Sequence, residues 1–228
     1  MCALLLAFHL LAGEFARTAN FVVHAPDAAQ AQQVAGWAEQ MRSELLTRWS
    51  RDPNARPAPW PRPVTITVHR DHPGFFATEF LRDGSAAITL WAGDLHLEST
   101  VRHEVCHAVL HLRYSGNYIP RWLDEGLAVC QELPAEQRRQ LAPLGRAERR
   151  FALRQVLSFS EYPRDVGLFY AQSYSLVSFL VERHGEPALL RFLEASFALG
   201  QENALRQTLG YAGIEELEER WLESVARK

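Results

Sequence analysis

The segment His103-Glu104-Val105-Cys106-His107 constrains this chain more than any other. Two residues four apart on a helix share a face, with about 5–6 Å between their Cβ atoms. Imidazoles at that spacing can grip one metal ion. Glu104 points roughly 100° around the helix, where it can reach a water on the ion rather than the ion itself. The flanking residues agree with a helix. Val101, Val105, Ala108 and Leu112 recur at helical spacing, no proline interrupts residues 74–119, and Ser99 stands near the start as a candidate cap. The motif is short, and a helix of ordinary packed histidines can carry the same letters.

A catalytic zinc ion takes three protein ligands and leaves a fourth position to water, so a third ligand has to be found. The longer pattern H-E-x-x-H-x-x-G-x-x-H would need glycine at 110 and histidine at 113. Leu110 and Arg113 stand there. His111 extends the histidine stripe, but it lies about 12 Å along the axis from His103 and reads as a packing or solvent-facing residue. Glu125 is better placed. Ser115-Gly116-Asn117 reads as a turn, Pro120 can open a second helix, and a helix returning beside the first would carry Glu125 back to the histidines.

Trp122-Leu123-Asp124-Glu125-Gly126-Leu127-Ala128 resembles the W-L-x-E-G-x-A motif of gluzincin zinc metallopeptidases. The chain is similar to the compact peptidase MA-like members, and more distantly to thermolysin and the zinc aminopeptidases. The resemblance implies one Zn²⁺ ion held by His103, His107 and Glu125, with Glu104 as catalytic base and a peptide or protein as substrate. It further implies that Zn²⁺ lowers the pKa of its bound water towards about 7 and polarises the scissile carbonyl.

Tyr170-Ala171-Gln172-Ser173-Tyr174-Ser175-Leu176 resembles the Y-x-x-G/S-x-x-L helix of the aminopeptidases. That match assigns Tyr170 a hydrogen bond to the oxyanion of the tetrahedral intermediate. Tyr174, one turn on, is the rival, and a pair of core aromatics is the third reading. In the family an edge strand ahead of the zinc helix pairs with extended substrate, a role that falls here on Ala87–Trp91. The G-x-M-E-N motif that holds a substrate's amino terminus is absent, which favours an endopeptidase over an aminopeptidase. Thermolysin-like enzymes often place an aspartate four residues after the third ligand, where Val129 stands here. Asp124 can orient a ligand histidine or lie solvated on its helix.

The alternative function is a zinc-binding cell-envelope scaffold or interaction module with little proteolytic activity. Against it stands Glu104, since a purely structural site has no use for a base, and such sites are usually closed by four ligands. Hydrolysis of a non-peptide amide or an epoxide is a third option.

The chain has 228 residues, 47% hydrophobic and 22% charged, which suits one domain with a sizeable core. A net charge of −3 gives no electrostatic case for nucleic acid. Met1 to Gly13 is nearly all apolar, with small residues from Gly13 to Ala19. Residues 1–19 read as a signal peptide or apolar N-terminal segment, although no lysine or arginine precedes the run. The run is too short to span a bilayer as a helix, so membrane association would be weak and through this segment alone. The expected location is the periplasm or cell envelope, with the cytoplasm as the alternative.

Residues 20–228 form the single expected domain, of α+β class. A small mixed sheet lobe over 20–119 packs on the zinc-binding helix, and a mainly helical lobe over 120–228 follows, in a thermolysin-like arrangement. Strands are expected at 21–24, 64–68 and 86–91. Helices are expected at 27–49, 75–80, 121–133, 135–142, 145–156, 168–184, 186–198, 201–209 and 213–226. Pro53, Pro57, Pro59, Pro61 and Pro63 make a stiff connector. The arginines at 138, 139, 146, 149 and 150 read as a wet helix face. Cys106 and Cys130 read as small buried thiols, with a disulfide between the two motif helices as the alternative.

Overall fold

Alternating β-branched residues and one amphipathic crossover set up the N-terminal half. A computed structural model describes residues 14–226, apart from 51, 53, 55, 72, 75 and 147–149. The apolar run Met1 to Gly13 lies outside the described residues. Residues 14–17 of the expected leader form strand β1 (Glu14–Arg17).

Strand β2 (Phe21–Ala25) feeds helix α1 (Ala28–Arg48), which Asp27 caps by accepting the Gln30 N–H at 2.8 Å. The chain returns through the proline connector to β3 (Val64–His69), then β4 (Ala77–Phe80) and β5 (Ala86–Trp91). The five-stranded sheet has the order β1-β2-β3-β5-β4. β2, β3 and β5 run parallel, and the two outer strands pair antiparallel. Val64, Ile66 and Val68 alternate with half-buried residues, as do Ala86, Ile88 and Leu90, and these join α1 and the following helix in one core. The connector is pinned where the Trp60 ring meets Phe21 edge-on and the Arg42 guanidinium lies 4.5 Å from the Trp60 ring centre.

Two expectations about the sheet fail. Where a helix is expected over 75–80, Ala77–Phe80 form strand β4, hydrogen-bonded to β5 with Ala77 opposite Thr89 and Phe80 opposite Ala86. Asp83-Gly84 supplies the hairpin turn, with Gly84 at φ 80°, and the Asp-Gly pair is the signal that points to it. With β4 outside it, β5 is interior, so Ala87–Trp91 is not the edge strand. That position belongs to Ala77–Phe80.

Helix α2 (Leu97–Arg113) carries the histidine motif, with Val101, Val105 and Ala108 fully buried. Ser99 does not cap it. The helix starts two residues earlier, after Asp94 accepts the His96 N–H at 2.9 Å, and Ser99 Oγ instead accepts the Leu133 N–H at 2.9 Å.

The remainder is helical: α3 (Arg121–Val129), α4 (Pro134–Gln140), α5 (Ala142–Arg146), α6 (Leu153–Ser158), α7 (Val166–His184), α8 (Glu186–Leu199), α9 (Gln201–Ala204), a π-turn over Leu205–Leu209, and α10 (Ile214–Ala226). The single helix expected over 145–156 is replaced by α5 and α6. α3 ends at Val129, four residues earlier than expected, and frees Cys130–Leu133 as a short connector. Cys106 and Cys130 are both free thiols, and burial pushes the pKa of each up. Among the described residues no helix is long and apolar enough to cross a membrane.

Within the helical half, α3 packs closely against α7, and α2 joins α3 to the sheet half. A Cβ on Gly126 would stand 2.4 Å from Val177 Cγ2 and 2.7 Å from the Ser173 carbonyl oxygen. Only a glycine lets the helices approach that closely, and the approach sets where its neighbour Glu125 points. Four residues before Gly126 on the same helix, Trp122 is buried and its Nε1–H donates to Gln201 Oε1 at 2.7 Å. Gly126→Ala is expected to destabilise the protein by about 1–3 kcal/mol. Gly36→Ala, on an exposed face of α1 with nothing within 4 Å of the new Cβ, is expected to stabilise it by about 0.5–1 kcal/mol. Urea unfolding of the two variants beside the parent checks both signs.

Candidate metal centre

Turn spacing places His103 and His107 on one face of α2, with ring centres 4.9 Å apart. The turn at 114–119 reverses the chain, and α3 brings Glu125 against them. One ligand atom from each of His103, His107 and Glu125 lies within 4.8 Å of the other two, so the three could hold a metal ion. Glu125 Oε2 is 3.4 Å from His103 Nε2 and 3.6 Å from His107 Nε2. That oxygen is buried and has no hydrogen-bond partner. A buried carboxylate oxygen left unsatisfied is costly unless a cation takes the space it faces.

The far side of each histidine is fixed. His103 Nδ1 is 2.8 Å from Glu132 Oε1, and His107 Nδ1 is 2.7 Å from Asp124 Oδ1. Carboxylates on both Nδ1 atoms turn both Nε2 atoms towards Glu125. Asp124 is therefore an orienting residue, and of its two readings the solvated one is corrected. Its other oxygen lies 2.8 Å from His111 Nε2, so His111 belongs to the same network rather than being a plain packing residue. The remaining oxygen of Glu125, Oε1, accepts the hydroxyl of Tyr162.

Glu104 is buried, and the Thr78 hydroxyl on β4 donates to its Oε2 at 2.7 Å. Tyr170 stacks on Tyr162, with hydroxyls 3.5 Å apart, and its ring centre is 6.4 Å from that of His103. Tyr174 points elsewhere, its hydroxyl donating to Gln137 Oε1 at 3.1 Å. A cleft of about 300 Å³ opens beside these groups, lined by Phe76, Thr100, His103, Glu104, Glu136 and Tyr170. Arg139, read as solvated, lines the same cleft and pairs with Glu136.

Sequence reasoning missed Thr78, Glu132 and Tyr162. Glu132 sits past the end of α3 in the α3–α4 connector, where helical spacing no longer says which way a side chain faces. Gln137 Nε2–H donates to the Glu132 carbonyl at 2.9 Å and Arg102 Nε–H to the Gln131 carbonyl at 2.8 Å, which hold that connector in place. Tyr162 lies in the loop before α7, with the Arg121 guanidinium 4.3 Å over its ring centre.

The charges around the site call for a positive centre. Burial works against a charged His103, yet contacts with Glu125 and Glu132 raise its pKa to about 9. His107 is likewise raised, by Asp124 and Glu125 against the cost of burial. Burial opposes the charge on Glu125, but the two histidines hold its carboxyl well below the usual carboxylate range. In chelator-treated protein these imidazolium–carboxylate contacts contribute to stability. The histidine part is present below the unfolded value of 6.5 and is lost as pH rises through about 9. The Glu125 part is present above 4.5 and is lost as pH falls below it. Urea midpoints of chelator-treated protein are therefore expected to fall between about pH 6.5 and pH 9.5, and His103→Asn is expected to flatten that decline.

No curated protein matches the chain significantly. The family description Peptidase MA superfamily matches residues 88–227, from β5 through the histidine motif, Glu125 and the helical half. The match supports a peptidase-type hydrolase, and the His103–His107–Glu125 group is a fit partner for the metal on which such enzymes often depend. The chain belongs to the Peptidase MA superfamily.

Proposed function

We propose that the protein is a zinc-dependent metallopeptidase of gluzincin type, thermolysin-like in the arrangement of its two lobes and acting as an endopeptidase. The observation that carries this reading is the convergence of two imidazole Nε2 atoms and one orphaned, buried carboxylate oxygen at 3.4 and 3.6 Å. Those separations are long for hydrogen bonds, but two atoms each about 2.0–2.1 Å from a tetrahedral zinc stand about 3.3 Å apart. The donor set of two histidines and one glutamate is also that of catalytic zinc sites with an open fourth position. Bound there, zinc would supply a Lewis acid and lower the pKa of a coordinated water to about 7.

The rest of the reaction falls to the chain. Glu104, held by Thr78, takes the proton of the attacking water and delivers it to the leaving amine. The Tyr170 phenol donates to the oxyanion as it develops. Burial raises the pKa of Tyr170, which keeps the phenol protonated as a donor. Tyr162 holds Glu125 Oε1, so that Oε2 stays turned towards the histidines. Strand β4, the exposed antiparallel edge, receives an extended peptide as an added strand and brings its scissile bond past Thr78 towards Glu104. We place the enzyme in the cell envelope, on the apolar run Met1 to Gly13.

Glu104→Gln retains an acceptor for Thr78 and removes the base. Zinc content is expected to stay stoichiometric while hydrolysis of a casein or mixed-peptide substrate falls by about a hundredfold or more. Turnover at the parent rate would sink the mechanism. Zinc must displace the protons of His103 and His107, so its uptake near pH 7 is expected to release protons and its apparent affinity to rise with pH. Titration calorimetry in buffers of different ionisation enthalpy reads that release.

A further inference from the structure

His111 is the third histidine of the α2 stripe, too far along the helix to join the ligands, yet both faces of its function are occupied. Its Nε2 lies 2.8 Å from Asp124 Oδ2, while the other oxygen of that carboxylate lies 2.7 Å from His107 Nδ1. Asp124 is thus held by two imidazoles, one on each oxygen, and cannot rotate without losing both. The His111 ring also lies flat against Phe80 of β4, with centres 4.2 Å apart and planes 18° from parallel. Flat contact at that distance is a packing interaction between the rings, not a chance approach.

The pattern of attachment is regular. Thr78 and Phe80 are two apart on β4 and share one face of the strand. Their partners, Glu104 and His111, are seven apart on α2 and share one face of the helix. The edge strand is therefore fastened to α2 at two points. One is the Glu104 carboxylate. The other leads through His111 and Asp124 to His107.

We propose that His111 is a positioning residue that ties strand β4 to the metal-ligand set, holding Asp124 with its nitrogen and Phe80 with its ring. The proposal rests on the zinc-site reading for its metal arm only. Peptide binding along β4 loads Phe80, and through His111 the same contact steadies the carboxylate that orients His107.

Two substitutions separate the two roles. His111→Phe keeps a ring for Phe80 and removes the donor to Asp124. His111→Gln keeps a donor near the Nε2 position and removes the ring. Zinc affinity is measured by competition with a chromophoric chelator, and amide exchange of residues 77–80 is followed by mass spectrometry, with thermal melts to establish folding. His111→Phe is expected to lower zinc affinity about ten- to a hundredfold with exchange in β4 close to the parent. His111→Gln is expected to keep zinc affinity close to the parent, to speed exchange in β4, and to raise KM for a peptide substrate more than it lowers kcat. Phe80→Ala is expected to repeat the His111→Gln pattern. Parent zinc affinity and parent exchange in both His111 variants would overturn the proposal. So would identical losses in both, which would mark a residue that only fills space. A parent protein that takes up no zinc, while His111→Gln still loosens β4, would sink the zinc reading and leave the strand tie standing.

Discussion

One buried oxygen, Glu125 Oε2, organises the centre of this protein. It has no hydrogen-bond partner, and removing a carboxylate from water costs several kcal/mol unless a positive charge faces it. The surroundings supply every condition for such a charge. The two imidazoles converge on it from consecutive turns of α2. Gly126 lets α3 come close enough to α7 to aim it, and Tyr162 occupies its sister oxygen. Asp124 and Glu132 stand behind the histidines and fix which nitrogen turns inward. Protons on His103 and His107 can meet the demand in a metal-free protein. A divalent ion held by the same three residues would meet it as well.

The parts of this arrangement that recur at helical spacing were readable from residues alone. His103, Glu104 and His107 lie on α2 as their spacing requires, and Val101, Val105 and Ala108 bury the face expected of them. Glu125 arrived where a returning helix would put it, because Pro120 and the turn at 115–117 leave little other route. Long apolar periodicities likewise located α1, α7, α8 and α10 within a residue or two at each end.

What escaped was non-periodic or non-local. The sequence 75–80 carries three phenylalanines at spacings that suit one turn of helix, and the strand formed by Ala77–Phe80 exists only because Ala86–Thr89 stands opposite. The partner of a strand is not written in the strand, although Asp83-Gly84 announces the hairpin. Glu132 and Tyr162 sit in connectors, where no repeat distinguishes an aimed side chain from a solvated one. Asp124 shows the same limit from the other direction. Its place in the motif was plain, but only the position of His107 Nδ1 decides between an orienting carboxylate and a surface one.

The exposed edge of the sheet follows from the same geometry. An edge strand presents unpaired N–H and C=O groups, and proteins usually shorten it, charge it or cover it. β4 is four residues long and carries Glu79 on its surface, but no element among the described residues covers it, and its own Phe80 and the preceding Phe76 are exposed. A helix or loop laid over that edge would close the approach to Glu104, since Thr78 fastens the same strand to the carboxylate. Thr78 and Phe80 of β4 both make contacts with α2, and the outer hydrogen bonds of the strand are those that the proposed substrate pairing would use. On the peptidase reading proposed above, such a strand gains from being short: few backbone groups stand unpaired, and each would lie close to the reacting atoms when a peptide paired with it.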